Sequence, residues 1–296
     1  LADHLIKAIT TDGAFRMLAV DASALVGSAQ RRHDTWPAAT AALGRTLTGT
    51  LLLSSALLKE PETMTVRIQG DGPVGMIVAD GNAKGQVKGY LSHPQVNLPA
   101  TPLGKIDVRR AVGTQGSLSV TKDLGLKEPF TGQVPLVSGE IAEDFTYYLA
   151  KSEQIPSAMG LSVFVDPDGS VAVAGGFLIQ TLPAATAEQL AALESRLQQL
   201  PLVSDLLRQG QTPTQLLQQI FGVTPIKVLA EMPVSFHCDC SKDRFSRALA
   251  TLSSSELQAM ITEDHGAEAV CKFCGAHYQF SETELRQIIA AKTSSK

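Results

Sequence analysis

The stretch VSFHCDCSKDRF, residues 234–245, places Cys238 and Cys240 one residue apart in a chain that has used no cysteine before them. The other two follow in AVCKFCGAHYQF, residues 269–280, as Cys271 and Cys274. Cysteines spread through a short secreted chain would read as a disulfide framework, whereas thiols crowded near one end of a long chain read as metal ligands. Tetrahedral thiolate ligation at about 2.3 Å sets the sulfurs roughly 3.8 Å apart, and two short loops giving two sulfurs each meet that demand. Gly275 directly after C-x-x-C permits the tight turn that such a loop needs. One Zn2+ held by Cys238, Cys240, Cys271 and Cys274 is the expectation; the alternatives are buried unliganded thiols and two standing disulfides. His237, His265 and His277 lie nearby, but four sulfurs already complete a tetrahedron, so they are read as neighbouring or surface groups.

The pairing has a further consequence. Metal-bound thiolates remain nucleophiles toward oxidants and pass from sulfenic acid to disulfide when a second thiol is adjacent. Each cysteine here has such a neighbour. A ring closed across C-x-C is small and strained, and strained disulfides are the reducible kind. The pattern therefore suits a switch: reduced, metal-bound and folded, or oxidised, metal-free and open. The tail itself has few large apolar groups, so the metal would supply the extra hold.

Working outward, 296 residues suffice for a sizeable core and more than one unit. The most apolar run, LTGTLLLSSALL at 47–58, is too short and too rich in Ser and Thr to span a bilayer and reads as a buried helix. LADHLIKAITTDGAF at the start carries acidic residues and no apolar signal-peptide core, which favours the cytoplasm. A net charge of −4 argues against nucleic acid as a partner.

Strand-like runs bounded by Gly-rich turns dominate up to about residue 178: FRMLAVDAS, TMTVRIQG, GMIVADG, QVKGYLSH, GSLSVTKD, LSVFVDP and SVAVAGGF. Helices are expected from Pro37 to Leu58 and over GEIAEDFTYYLAKSEQ, which has early acids and a late Lys151. The fold class is α+β: a mainly antiparallel N-terminal domain with helices over 1–178, a helical connector over 179–231 and a small zinc-binding domain over 232–296. The connector holds nine glutamines, many leucines and few charges. Thr186 with Gln189 and Thr212 with Gln215 fit capping boxes, and Leu190, Leu193, Leu197 and Leu200 share one face. Such short helices need a surface to bury that face, so the connector is either an ordinary packed element or one whose docking is conditional. In the tail, Ser241 is placed to cap a helix and Ser281 with Glu284 forms a further capping box.

FHCDCSKDRFSRAL followed by MITEDHGAEAVCKFCGAHYQFSETEL resembles the zinc module of the heat shock protein 33 family, the redox-regulated 33 kDa chaperonins. GDGPVGMIVADGNAKGQVKGY, GEIAEDFTYYLAKSEQIPSAMGLSVFV and AGGFLIQTLPAA extend the resemblance over essentially the whole chain. SSSEL stands where a Gly-containing turn is usual, and GAH follows Cys274 where Asn is frequent; neither touches a ligand. The resemblance implies a cytoplasmic, ATP-independent holdase that is inactive with zinc on the four thiolates. It further implies that peroxide or hypochlorous acid forms Cys238–Cys240 and Cys271–Cys274 disulfides, frees the metal and unfolds tail and connector. The active form would be a homodimer that holds unfolding client proteins for ATP-dependent refolding chaperones.

Other readings are weaker. GDGPVG at 70–75 satisfies G-x-G-x-x-G, but a strand follows it where a helix N-terminus should cradle a pyrophosphate, so it reads as a turn. C-x-x-C alone could serve thiol exchange, but a catalytic dithiol needs no C-x-C partner. A zinc-ribbon module for nucleic acid is disfavoured because residues 237–296 hold seven Lys and Arg against eight Asp and Glu. A purely structural zinc domain would gain no activity on oxidation. Glu140, Glu143, Asp144, Tyr147 and Tyr148 are read as surface charge with buried aromatics. No catalytic residue and no organic-cofactor site is assigned, and the chain is not read as an enzyme or a membrane protein.

Overall fold

The computed structural model describes residues 2–102 and 104–294. In chain order the elements begin with strands β1 (His4–Thr10) and β2 (Phe15–Asp21), helices α1 (Ser23–His33) and α2 (Pro37–Leu57), and strands β3 (Thr63–Gln69), β4 (Met76–Asn82) and β5 (Gln86–Leu91). Helix α3 (Val108–Val112), strands β6 (Ser117–Asp123) and β7 (Phe130–Pro135), helix α4 (Ala142–Lys151) and strands β8 (Ser157–Val165) and β9 (Val171–Thr181) follow. Helices α5 (Ala187–Gln199), α6 (Val203–Arg208) and α7 (Pro213–Phe221) lead to strands β10 (Ile226–Pro233) and β11 (Ser235–Phe236). The last elements are α8 (Lys242–Leu249), α9 (Ser254–Thr262), β12 (Gly266–Val270), β13 (His277–Ser281) and α10 (Glu282–Ser294). Contacts divide the chain into two compact units, Leu1–His237 and Cys238–Lys296. The α+β class with mainly antiparallel sheets is as expected.

Two sheets build the first unit, ordered β10-β1-β2-β9-β8 and β11-β5-β4-β3-β6-β7. Every pairing is antiparallel except the short β11–β5 contact. Helix α2 is buried along nearly its whole length and packs against strands of both sheets, the apolar 47–58 run forming its C-terminal half. Two of its buried hydroxyls bond back one turn, Thr46 Oγ1 donating to Ala42 O at 2.9 Å and Thr48 Oγ1 to Gly44 O at 2.8 Å, while those of Thr50 and Ser55 have no hydrogen-bond partner. Its C-terminal carbonyls are met by cations from the sheet, Lys7 Nζ on Ser55 O at 2.7 Å and Arg16 Nη2 on Ala56 O at 2.9 Å, an arrangement the helix dipole favours. Burial holds both cations below their usual pKa.

The first sheet is buried on both faces, and side-chain alternation sorts its residues between them. Leu5, Leu18, Val20 and Leu178 face the cluster around α2. Ile6, Met17, Ala19, Phe177 and Ile179 face a second cluster completed by Leu193, Val203, Leu206, Leu207, Leu216, Leu217, Ile220 and Phe221 of α5, α6 and α7. Both faces being covered is why β2 and β9 read as near-continuous apolar runs. In the segment 179–231, residues 179–181 finish β9 and 226–231 belong to β10, which lies at the sheet edge beside β1. The capping boxes at Thr186 and Thr212 form, and Leu193 is the buried member of the leucine stripe, with Leu190, Leu197 and Leu200 half-buried around it. Polar contacts include Ser162 Oγ to Ser204 Oγ at 2.7 Å, Gln189 Nε2 donating to Asp12 Oδ2 at 2.8 Å and Arg208 over the Phe164 ring at 4.0 Å, while the ends of the segment are tied by backbone, Leu182 N donating to Ala14 O at 2.9 Å and Thr11 N to Pro225 O at 3.0 Å.

The GDGPVG segment is the turn of the β3–β4 hairpin. A Cβ on Gly70 or Gly72 would fall 2.0 or 2.3 Å from carbonyl oxygens of Val112 and Ala111, so these glycines serve the packing of α3. On α4, Asp144 departs from the surface-charge reading. It is fully buried, and its carboxylate accepts from the backbone N–H groups of Val137 (2.7 Å), Ser138 (3.1 Å) and Ile141 (2.9 Å), tying a loop to the helix N-terminus. The first N–H groups of helix α1 are met both locally and from afar: Asp21 Oδ1 accepts from Ser23 N at 3.0 Å, and Asp3 accepts from Ala24 N at 3.0 Å and Leu25 N at 2.6 Å.

Gly49 marks where α2 touches α4, since a Cβ there would lie 2.4 Å from Cε2 of the buried Phe145 ring. Gly49→Ala is expected to destabilise the first unit by about 1–2 kcal/mol net, overpacking exceeding the gain of about 1 kcal/mol in helix propensity. Urea unfolding followed by circular dichroism measures this, and a raised midpoint would refute the close packing.

Candidate metal centre and the family of the chain

Unit 238–296 has a small core. Leu257, Ile261, Phe280, Leu285 and Ile288 are its buried aliphatic and aromatic residues, with Phe245, Leu249, Met260 and Tyr278 half-covered around them. The hairpin of β12 and β13 pairs Val270 with His277, and the loop between them carries Cys271 and Cys274. That loop is closed by Cys271 N donating to Ala276 O at 2.9 Å and Gly275 N donating to Cys271 O at 2.8 Å. Gly275 takes φ of 72°, the left-handed conformation that the sequence assigns to this glycine. Cys238 and Cys240 lie in the chain just before α8, whose N-terminus is capped by Ser241 Oγ accepting from Arg244 N at 3.3 Å. The capping box at Ser281 also forms: Glu284 Oε2 accepts from Ser281 N at 2.9 Å and Ser281 Oγ accepts from Glu284 N at 3.3 Å.

These two loops bring all four sulfurs within 4.8 Å of one another. Cys238 Sγ lies 3.7 Å from Cys271 Sγ, and Cys240 Sγ lies 3.3 Å from Cys274 Sγ. All four cysteines are free thiols. Separations of this size match the edge of a thiolate tetrahedron, and the donors are soft sulfur throughout, so the set suits a metal such as zinc. The histidines stand apart from it: His265 Nδ1 and His277 Nδ1 each lie 3.0 Å from a carboxylate, of Glu282 and Glu268 respectively. His237 instead donates its backbone N–H to Val87 O at 3.0 Å.

Electrostatics differ between the thiols. Burial, with hydrogen bonds to the neighbouring thiols, pushes Cys238 up to about 12, and burial also raises Cys274. Burial acts upward on Cys240 too, but the Tyr278 hydroxyl and the other three thiols bring it down to about 7. Tyr278 Oη lies 3.1 Å from Cys240 Sγ, and the bond to that sulfur raises the phenol to about 12. Against a Cys240 thiolate, which carries no proton, the phenol is the donor and the sulfur the acceptor. Sequence reasoning did not single out Tyr278; the available signal was strand alternation, which puts Tyr278 on the face of β13 that also carries Phe280. A second feature it did not single out is the ion pair between Lys242 on α8 and Glu284 on α10, at 2.5 Å, which with the Ser281 cap holds Glu284 at about 2.

A two-sheet α+β unit joined to a small four-cysteine unit defines a class of protein, and comparison with known proteins says which. A family model described as "Hsp33 protein" matches residues 3–281, and the chain belongs to that family. It is 61% identical over 290 residues to the 33 kDa chaperonin of Lactiplantibacillus plantarum, covering 98% of each chain. The 33 kDa chaperonin of Latilactobacillus sakei is 59% identical, with 98% of this chain and 99% of that protein covered. The crystal structure of the 33 kDa chaperonin, heat shock protein 33 homolog, of Thermotoga maritima superposes with a TM-score of 0.91 at 39% identity, covering 99% of this chain and 100% of that one. Among the described residues no helix is long and apolar enough to cross a membrane.

Loss of one sulfur should be felt by the whole set. Cys271→Ser is expected to weaken zinc affinity by at least about 100-fold, read by competition with a chromophoric chelator. Because bound thiols must be deprotonated, affinity of the unaltered chain should fall as pH drops, and more steeply than one proton per metal. Unchanged affinity in either experiment would remove the cysteine set as the ligand sphere.

Proposed function

We propose that this chaperone is a redox-controlled, ATP-independent holdase, with Cys238, Cys240, Cys271 and Cys274 as its zinc ligands and its oxidisable thiols. Zinc, when bound, supplies the positive charge that keeps four thiolates together and stabilises the small unit by about 10–16 kcal/mol. The observation that carries the reading is the convergence of all four sulfurs to within 4.8 Å in a unit with so small a buried core. Such a core is marginal alone, so the state of the thiols governs whether it folds.

Oxidation acts on the chain's own sulfurs. A hydroperoxide takes two electrons from a thiolate to give a sulfenic acid, and the neighbouring thiol displaces water to close a disulfide. Cys238–Cys240 and Cys271–Cys274 are the pairs that stay close when the two loops separate, because each is joined by only one or two residues. Disulfide sulfur is a poor zinc donor, so both ligand pairs are lost. Residues 232–296 then unfold, and the connector, 179–231, loosens from the core domain, 1–178.

The first sheet supports the client-binding part of this reading. Release of α5, α6 and α7 would uncover Ile6, Phe15, Met17, Phe177 and Ile179 on the sheet and the leucines opposite them. An apolar face of this size is what an unfolding client requires. The helices of the connector meet the core through scattered side-chain ties, Ser162–Ser204, Gln189–Asp12 and the Arg208–Phe164 stack, a pattern that suits conditional docking of those helices. In this reading the protein acts in the cytoplasm as a homodimer when oxidised and passes clients to ATP-dependent chaperones. It has no nucleic-acid or membrane partner and catalyses no reaction.

One titration tests it: peroxide with mild warming, following zinc release, disulfide mapping and light scattering of a heat-denaturing client. Metal loss, the two local disulfides and suppression of scattering should rise together. Client protection by the reduced, zinc-loaded chain, or metal loss with no protection, would overturn the proposal.

A further inference from the structure

The geometry points to Tyr278 as a positioning residue that restrains Cys240, setting how readily the thiol cluster is oxidised. This inference rests on the proposed redox function and assigns to one side chain the threshold of the switch.

Three observations converge on it. Tyr278 Oη stands 3.1 Å from Cys240 Sγ, within hydrogen-bond reach of sulfur. Its ring is fixed by packing, its centroid 5.0 Å from that of Phe245 with the planes tilted by 33°, and both rings belong to the small hydrophobic cluster. Its backbone is held in the β12–β13 ladder opposite Ala269. The phenol is thus aimed at Cys240 from a strand on one side and a helix on the other. Its hydroxyl joins the sulfur cluster at Cys240, beside the Cys240–Cys274 contact.

The chemistry follows from what a hydrogen bond does to a thiolate. Attack on a hydroperoxide uses a sulfur lone pair: the S–O bond forms, the O–O bond breaks, and the electron pair leaves on hydroxide from hydrogen peroxide, or on alkoxide from an organic hydroperoxide, which then takes up a proton. An O–H donor on that sulfur draws density from the attacking lone pair and must be weakened as the sulfur gives up its charge. It stabilises the resting thiolate more than the transition state, so it slows the step. The reaction closes when Cys238 Sγ displaces water from the Cys240 sulfenic acid; in all, two thiolates and two protons reduce one hydroperoxide to its alcohol and water, or hydrogen peroxide to two waters. Tyr278 stands beside Cys240 and has no recorded bond to Cys238, Cys271 or Cys274, so its restraint falls on the C-x-C pair.

The test uses full-length, zinc-loaded chain. Tyr278→Phe keeps the ring against Phe245 and removes only the donor. Under excess hydrogen peroxide it should speed Cys238–Cys240 formation and zinc release by about three- to tenfold, the scale of one lost hydrogen bond. Zinc stoichiometry at rest should be unchanged. Site-specific 3-fluorotyrosine at position 278, a stronger donor of nearly the same shape, should slow the same steps; a merely structural ring would not produce opposite effects. In the cobalt-substituted chain, the sulfur-to-metal charge-transfer band should shift for Tyr278→Phe. If the unaltered chain oxidises as proposed but both variants match its rate, or both move in one direction, the role of Tyr278 falls and the switch stands. If the unaltered chain does not form Cys238–Cys240, the function proposed above falls with it.

Discussion

Bringing four sulfur atoms into one sphere is the constraint on which residues 238–296 depend. Sulfur is soft and tolerates burial as a thiol, but four thiolates repel one another, so a thiolate form of this cluster requires a cation among them. Everything local serves it. The positive φ of Gly275 bends the C-x-x-C loop, Ser241 starts α8 directly after C-x-C, and Tyr278 reaches back from β13 to Cys240. Among the described residues, the buried aliphatic and aromatic core is five side chains. In the proposed function the cohesion of this unit rests on that one place, and chemistry there governs whether it folds.

The first unit is built on the opposite plan. Its central helix α2 is enclosed between two sheets, with the Thr46 and Thr48 hydroxyls and the Ser55 and Ala56 carbonyls bonded within the fold, so its stability is distributed over many contacts. Yet it contains a divisible layer. One face of the first sheet meets α2, which can go nowhere; the other meets three short helices joined by loops. Short helices hold only while their apolar face is covered, and the sheet is left apolar wherever they depart. In the proposed function this second interface is the reversible one, and the metal centre is what decides when.

Much of this architecture is written along the chain. Strand alternation, turn glycines and Pro37 locate β2 to β6, β8, β9 and α2, and Thr186, Thr212, Ser241 and Ser281 mark helix starts that form. The four ligand candidates were legible because C-x-C and C-x-x-C put pairs of donors within reach through local chain geometry alone. What was not legible depended on residues far apart. Helix α1 takes part of its cap from Asp3, far from it in sequence, and β10 is legible neither as a strand nor by partner until β1 lies beside it. Asp144 looked like surface charge because a buried carboxylate is recognisable only once three backbone donors surround it.

By itself, then, the amino-acid order determined which atoms can act: four thiols in two local pairs, a run of weakly charged, leucine-bearing helices, and the turns that shape an antiparallel α+β unit. These are short-range properties, set by periodicity, backbone freedom and donor chemistry. Only the tertiary structure decided that the two cysteine pairs meet, that both faces of the first sheet are covered, and that a tyrosine stands against one sulfur. Each of those is a contact between segments distant in sequence, where packing and loop closure choose among partners that local pattern leaves equivalent.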